Sequence, residues 1–192
     1  MLRKSLIGLV PVVLAIVAYA SPVQAKHIYT LNVGATNPIL DDGNDFQGGM
    51  GFELKAGMPI PFPFFDIELE AKIGRHGWNG KGTNGNASMF RGSVGARGGV
   101  NFALFPYGFV HVGYGRLSDW VYAKEPVAGP NLEVGIGLDV TAIPYMRIGL
   151  FGSYNHMMLG DTGYSTGLTD DDMQWFSYGL ALSWTGDGGD DD

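Results

Sequence analysis

The sequence predicts an all-β protein, an eight-stranded antiparallel up-and-down transmembrane β-barrel that follows an N-terminal signal peptide. Three observations favour this fold class. Apolar and polar residues alternate with a period of two, which is the side-chain repeat of a β-strand. The connections between the alternating segments are short and long in turn. Glycine is abundant, at 31 of 192 residues, whereas only 16% of residues are charged.

The N-terminal residues have the features of an export signal. Arg3 and Lys4 precede the apolar run 6–20, and small residues then allow cleavage after Ala25 or, alternatively, after Ala20. The apolar run is short for a membrane-spanning helix, which needs about 20 residues. We therefore expect a signal peptide, a barrel and an acidic periplasmic tail over residues 1–25, 26–184 and 185–192.

Eight segments of the remaining chain have the alternation of a strand. Residues 65–73 are typical, because their odd-numbered positions are apolar and most of their even-numbered positions are acidic. The clear segments are 65–73, 90–102, 132–141 and 174–184. The weaker segments are about 27–35, 48–58, 109–117 and 146–155. An even number of strands is usual for bacterial barrels.

The connections predict how the barrel is oriented. Three are short and contain proline, at 58–63, 104–107 and 142–145. Four are longer and polar, at about 36–47, 77–87, 118–130 and 156–172. Outer-membrane barrels have short turns on the periplasmic side and longer loops outside. The sequence therefore predicts a Gram-negative outer-membrane protein with both termini in the periplasm and four long extracellular loops.

The composition of the polar face indicates that this face is inside. A soluble periplasmic lipocalin-like carrier would have the same alternation with the faces reversed, and it is the competing fold. Glycine on the polar face relieves crowding inside a barrel of eight strands. Buried charges must be paired, and the polar face carries nearly balanced charges. We expect an interior charge network of Glu53, Lys55, Asp66, Glu68, Glu70, Lys72, Arg91, Arg97, Glu133, Asp139 and Arg147.

Aromatic residues occur near the strand ends, where membrane barrels have interfacial girdles. Ordinary core aromatics would be the alternative. We expect the girdle to consist of Trp78, Tyr107, Tyr114, Trp120, Tyr145, Tyr154, Trp175 and Trp184.

This pattern, with segments such as 135–139 and 175–184, resembles the OmpA-like and opacity-protein-like outer-membrane barrels over about residues 27–184. The resemblance implies an outer-membrane barrel whose partners are outer-membrane lipid, lipopolysaccharide and the barrel assembly machinery. Members of that family usually end on an aromatic residue that resembles the assembly signal. Here the corresponding aromatic is Trp184, and residues 185–192 follow it.

No pattern in the sequence indicates catalysis. The chain has no cysteine, which excludes a thiolate metal site and a cysteine nucleophile. Lipid A deacylases, another eight-stranded family, have a serine two residues from a histidine, but Met158 stands two residues after His156. We expect no enzyme activity, cofactor or metal. After signal cleavage 10 basic residues face 19 acidic ones, and this net charge of −9 argues against nucleic acid as a partner.

The expected function is therefore a structural or surface-interaction role for a monomeric barrel. The interior charge network predicts a plugged lumen. His111 shares the inward face of its strand, and we expect it near the acidic row of strand three. A narrow, porin-like channel is the alternative, because an interior rich in glycine leaves volume.

Overall fold

The chain forms a closed antiparallel β-barrel in which each strand pairs with the next and the last pairs with the first. A computed structural model describes residues 27–39, 46–61, 65–80, 85–100, 104–118, 126–143, 145–158 and 172–186. The strands are β1 (His27–Ile39), β2 (Phe46–Pro61), β3 (Phe65–Gly80), β4 (Ala87–Val100), β5 (Leu104–Ser118), β6 (Val127–Ile143), β7 (Met146–Met158) and β8 (Asp172–Gly186). No helix long and apolar enough to cross a membrane is found in these ranges. The predicted signal peptide lies outside the described residues.

The strand register fixes the dimensions of the barrel. A path that starts at Tyr29 and crosses every pairing in turn returns to β1 at Ile39, ten residues further along the strand. With standard strand spacings, eight strands and this stagger give a tilt of about 40° and a backbone radius of about 8 Å. Such an interior is just wide enough to be filled by side chains.

Most apolar residues of the strands face outward, and most of the polar residues face inward. Thirty large apolar side chains of the described residues are exposed, from Ile39 and Ile60 at 37% to Ile136 at 72%. Most charged residues of the strands are buried inside the barrel. A continuous apolar wall of this kind marks a surface that contacts membrane rather than water. This arrangement contradicts the soluble lipocalin-like alternative.

The strands are longer, and the connections shorter, than the sequence pattern predicts. The four long connections contain 6, 6, 8 and 13 residues, and the three short ones contain 3, 3 and 2. The strand ladders continue beyond the apolar band through polar residues such as Asn79 and Ser88, so the end of the alternation is not the end of the strand. Thr185 and Gly186, predicted to belong to the tail, pair with Ile28 and His27 as the end of β8.

The predicted turn at 104–107 is wrong, because these residues begin β5 and pair with β6. Pro106 is compatible with a strand at this position. The pairing of β5 with β4 ends at Tyr107, so Pro106 lies beyond the last residue pair on that side. Proline is tolerated in a strand where the ladder does not need its missing N–H group.

Interior glycines make room for large rings on the neighbouring strand. The rings of Tyr107 and Phe109 on β5 lie against Gly137 and Gly135 of β6, where an added Cβ would overlap the rings. Close approach to a bulky neighbour is a usual reason for glycine inside a strand. At these two positions aromatic side chains occupy the space that glycine leaves.

The outward position of Ile136 predicts how the barrel responds to a charge in its wall. Ile136 lies near the middle of β6, and the Ile136→Arg substitution should lower the free energy of unfolding by about 2–4 kcal/mol near the bilayer midplane. Urea unfolding in liposomes measures this change. The matched control is Ile143→Arg, at the end of the same strand, where a cost of about 0–1 kcal/mol is expected. Equal costs at both positions would contradict a lipid-facing wall.

Candidate functional site

The barrel interior contains most of the predicted charge network. Nine of the eleven residues are almost fully buried, with exposed fractions of 5% or less. They are Glu53, Lys55, Glu68, Glu70, Lys72, Arg91, Arg97, Glu133 and Asp139. Asp66 and Arg147 are half-buried and lie at the end of the barrel that carries the short turns. Five strands contribute these residues, because alternation places every second side chain of a strand inside.

One half of the network surrounds Arg97 on β4. Its guanidinium group donates to Glu68 Oε2 at 2.5 Å through Nη2 and to Asp139 Oδ2 at 3.1 Å through Nη1. Its Nε also lies 3.6 Å from Glu70 Oε1. A guanidinium fork can satisfy several carboxylates at once, which a lysine ammonium group does less specifically. Arg97 therefore joins three strands through one side chain.

The other half of the network alternates two cations with two carboxylates. Arg91 and Lys72 both contact Glu53 and Glu133, with Lys72 Nζ 3.4 Å from Glu53 Oε1 and Arg91 Nη2 3.4 Å from Glu133 Oε1. The two remaining contacts, Arg91 with Glu53 and Lys72 with Glu133, are direct ion pairs. Each buried charge thus has two partners of opposite sign, which offsets the cost of removing it from water.

His111 connects the two halves. Its Nε2 lies 2.9 Å from Glu70 Oε2, and its Nδ1 lies 3.5 Å from Glu133 Oε2. Lys55 adds a longer contact to Glu70, at 3.8 Å between Nζ and Oε2. His111 therefore lies beside the acidic row of β3, as the strand pattern predicts. The nine buried charged residues and His111 therefore form one connected network rather than isolated pairs.

Three polar residues of the network are not identified by the sequence analysis. Asn32 donates to Glu53 Oε2 at 3.2 Å, Asn155 accepts a hydrogen bond from Arg91, and His76 Nε2 lies 3.3 Å from Glu53 Oε1. All three are buried. Strand alternation could have placed them inside, but an analysis restricted to formal charges does not select asparagine or neutral histidine.

An apolar cluster closes the interior at the end that carries the long loops. Six strands contribute to it, and every member is at most 5% exposed. Two indole rings at its centre, Trp78 and Trp175, pack edge to face with centroids 5.7 Å apart. The cluster consists of Phe46, Trp78, Ala87, Met89, Leu117, Met157, Met173 and Trp175. We call it the loop-end cluster.

A stack of aromatic rings covers the network toward the opposite end. Phe105, Tyr107 and Phe109 point inward from β5, with successive ring centroids 5.9 and 6.1 Å apart. The Arg97 guanidinium lies 4.7 Å from the Tyr107 ring centroid, and Lys55 Nζ lies 4.7 Å from that of Phe109. Cation–π attraction is favourable where the cation is desolvated. These rings therefore both fill space and contact the buried cations.

The space left between these groups is small. A void lined by Asn32, Thr36, Glu53, His76, Ser177 and four other residues has about 10 Å³ available to water. That volume holds about one water molecule. The described side chains around this void are therefore closely packed.

The structure corrects three of the predicted girdle residues. Trp78, Tyr107 and Trp175 point into the barrel, where they are at most 6% exposed, and do not contact the surroundings. Each occupies an inward position of its strand. Trp78 and Tyr107 lie in segments predicted as connections, whereas Trp175 lies in a predicted strand whose alternation already placed it inside. Four others lie on the outer wall, namely Tyr114, Tyr145, Tyr154 and Trp184. Trp120 lies outside the described residues.

His156 also lies on the outer wall, at the loop end of β7. Its Nε2 is 2.7 Å from Asp172 Oδ2 on β8. Its cross-strand neighbours are Leu132 and Gln174. Ser153 is buried inside the barrel, on the opposite face of the same strand. A histidine acts as a base in nucleophilic catalysis only when a hydroxyl group lies within hydrogen-bond reach of it. Among the described residues, the neighbours of the His156–Asp172 pair include no serine or threonine that could be this nucleophile.

The barrel is similar to several solved structures. Neisserial surface protein A superimposes with a TM-score of 0.62 at 10% sequence identity, over 83% of this chain and 97% of that one. The attachment invasion locus protein Ail of Yersinia pestis gives 0.53 at 16% identity, over 84% and 100%. The outer membrane enzyme PagL gives 0.50 at 15% identity, over 82% and 98%. Neither a protein-family model nor a curated protein sequence matches the chain.

The three contacts of Arg97 predict a large effect of removing its charge. Arg97→Ala leaves buried carboxylates without a partner and should lower the free energy of unfolding by about 3–5 kcal/mol. The measurement is the urea unfolding midpoint of the refolded protein in liposomes. The control is Arg75→Ala, which removes an exposed arginine from the outer wall and should change stability by less than about 0.5 kcal/mol. A wild-type midpoint for Arg97→Ala would refute the interior network.

Proposed function

We propose that this chain, which has the fold of the eight-stranded outer-membrane β-barrels, is a small outer-membrane protein with a structural or surface-interaction role and a closed lumen. The observation that carries the proposal is the filled interior. The connected charge network lies between the loop-end cluster and the aromatic stack of β5. A barrel filled in this way offers its outer wall and its loops, rather than a channel, for function.

The height of the apolar wall supports a membrane location. On β5 the outward residues from Leu104 to Tyr114 are all apolar or glycine, and Arg116 follows them. Ten residues at the tilt derived above rise about 25 Å along the barrel axis. The apolar band of outer-membrane barrels is about 25 Å tall. The wall thus matches the hydrocarbon layer of such a membrane.

The arrangement of the chain ends supports an orientation. β1 begins and β8 ends at the same end of the barrel, where His27 pairs with Gly186, and the three short turns lie at that end as well. We place this end in the periplasm and the four longer connections outside. Assembly by the barrel machinery and a monomeric state are parts of the same proposal.

The proposal does not include catalysis. The His156–Asp172 pair provides a possible base, but its described neighbours supply no nucleophilic hydroxyl group. Its position between two strands favours a role in fixing the loop ends of β7 and β8. The absence of catalysis is tested by incubating the folded protein with purified lipid A. Release of acyl chains by the wild type, and its loss in His156→Ala, would show that the protein is an enzyme.

The closed interior predicts that the wild-type protein does not conduct. In planar bilayers at molar potassium chloride we expect no stable conductance steps. The charge network fills a barrel whose backbone radius is about 8 Å, and aromatic and apolar residues cover the network on both sides. Heat-modifiable gel mobility of the same sample shows that the protein added is folded. Reproducible steps from folded protein would contradict the closed lumen and favour the narrow channel.

The proposed orientation is testable because the chain contains no native cysteine. We expect a membrane-impermeant maleimide to label Asn79→Cys on intact Gram-negative cells, since Asn79 is exposed at the loop end of β3. The matched control is Ala142→Cys, exposed at the turn end of β6, which should be labelled only after cell lysis. The reverse labelling pattern would show that the loop end faces the periplasm.

A further inference from the structure

Two arginines face outward, away from the interior network. Arg75 on β3 and Arg116 on β5 are exposed on the outer wall. Phe90 of β4 lies between them, since it pairs with Arg75 on one side and with Arg116 on the other. Two strand spacings separate their Cα atoms by about 10 Å. We call Arg75, Phe90 and Arg116 the arginine row.

The two arginines of the arginine row differ from the buried cations of the network in their surroundings. Within the part of the chain that the structure describes, no carboxylate lies within ion-pair distance of either guanidinium group. The outward carboxylate of Asp172 belongs to β8, on another side of the barrel, and contacts His156. As far as the described residues go, the two guanidinium groups are therefore available to an anion from outside the chain.

The arginine row lies where the apolar wall ends. Toward the turn end, the next outward residues are Ile73 and Tyr114, which are 53% and 56% exposed. Toward the loop end, the next outward pair is Ser88 and Ser118, whose hydroxyl groups are hydrogen-bonded at 3.0 Å. A charge in the wall of a barrel is costly at the midplane and well tolerated near the interface. Arginine stems can also lie along apolar surface while the guanidinium reaches the polar layer.

We propose that the arginine row binds the phosphate groups of a lipid in the leaflet at the loop end, with the acyl chains against the apolar wall below. Guanidinium groups bind phosphate oxygens through paired hydrogen bonds, which gives them a geometric preference for this anion. The proposal rests on the orientation proposed above, in which that leaflet is the outer one. The lipid is then lipopolysaccharide, and the ligand is its phosphorylated lipid A headgroup.

Purified lipid A provides the probe for this site. Native mass spectrometry of the folded protein in detergent compares lipid A that carries both phosphates with the same lipid after dephosphorylation. We expect the phosphorylated form to bind at least tenfold more tightly. The double variant Arg75→Gln with Arg116→Gln should bind both forms equally and weakly. Because both side chains are exposed, the double variant should keep wild-type heat-modifiable mobility.

Two controls separate geometry from charge. Arg75→Lys with Arg116→Lys keeps both charges but lacks the guanidinium fork, so its preference for phosphorylated lipid A should be intermediate. Arg147→Gln removes the same charge from the inward face at the other end of the barrel and should bind lipid A as the wild type does. Wild-type affinity in the double glutamine variant would overturn the proposal. Equal affinity of the wild type for phosphatidylglycerol and lipid A would overturn the choice of lipid.

Failure of this site and failure of the proposed orientation give different results. If Asn79→Cys is labelled only after lysis while the arginine row still selects phosphorylated lipid A in detergent, the orientation is wrong and the phosphate site stands. If labelling occurs on intact cells but the double glutamine variant binds as the wild type does, the orientation stands and the arginine row is not the site.

Discussion

Closure of the strand ring is the constraint on which the rest of the structure depends. In a membrane every backbone N–H and C=O group needs a partner within the protein, and a closed ring of strands supplies one without leaving an edge. Eight strands with a ten-residue stagger give a backbone radius of about 8 Å, and this radius limits the side-chain volume that the interior can accommodate. Interior glycines, inward rings and paired charges all follow from that limited, dry space. The apolar outer wall is formed by the alternate residues of the same strands, whose side chains point away from the interior.

The alternation predicted the eight strands, their antiparallel order and the inward charges, because period two assigns faces directly. It predicted strand ends poorly, since the ladders continue through polar residues beyond the apolar band. Trp78 was assigned to the girdle because its segment was predicted to be a loop, whereas it belongs to β3. Trp175 was assigned to the girdle from its residue type alone, although its position in β8 is inward. The contacts between Arg97 and three carboxylates could not be predicted, because they depend on the stagger that brings distant strands together.

Charge inside this barrel has a different physical role from charge outside it. Inside, each carboxylate and cation is desolvated and stable only with partners, so the network fixes the relative positions of the strands that contribute to it. The loop-end cluster and the rings of β5 lower the polarity around the network and bring cations against aromatic faces. Outside, Arg75 and Arg116 lie at the boundary of the wall, and no carboxylate of the described residues pairs with them. The network thus links the strands that contribute to it, whereas the two exposed arginines face the surroundings.

The pairing of β1 with β8, which closes the barrel, affects how fast the protein can fold. Thr30 and Ser183, whose hydroxyl groups are 2.9 Å apart across this pairing, are separated by 153 residues in the chain. Contacts between such distant residues require a large loss of chain entropy before they contribute stability, and they are associated with slow folding. The hairpins of neighbouring strands can form early, but the ring cannot close until the last strand has been made. Until then β1 and β8 both present unpaired edges to which strands of other chains can bind. Aggregation is therefore most favoured in the interval before the barrel closes.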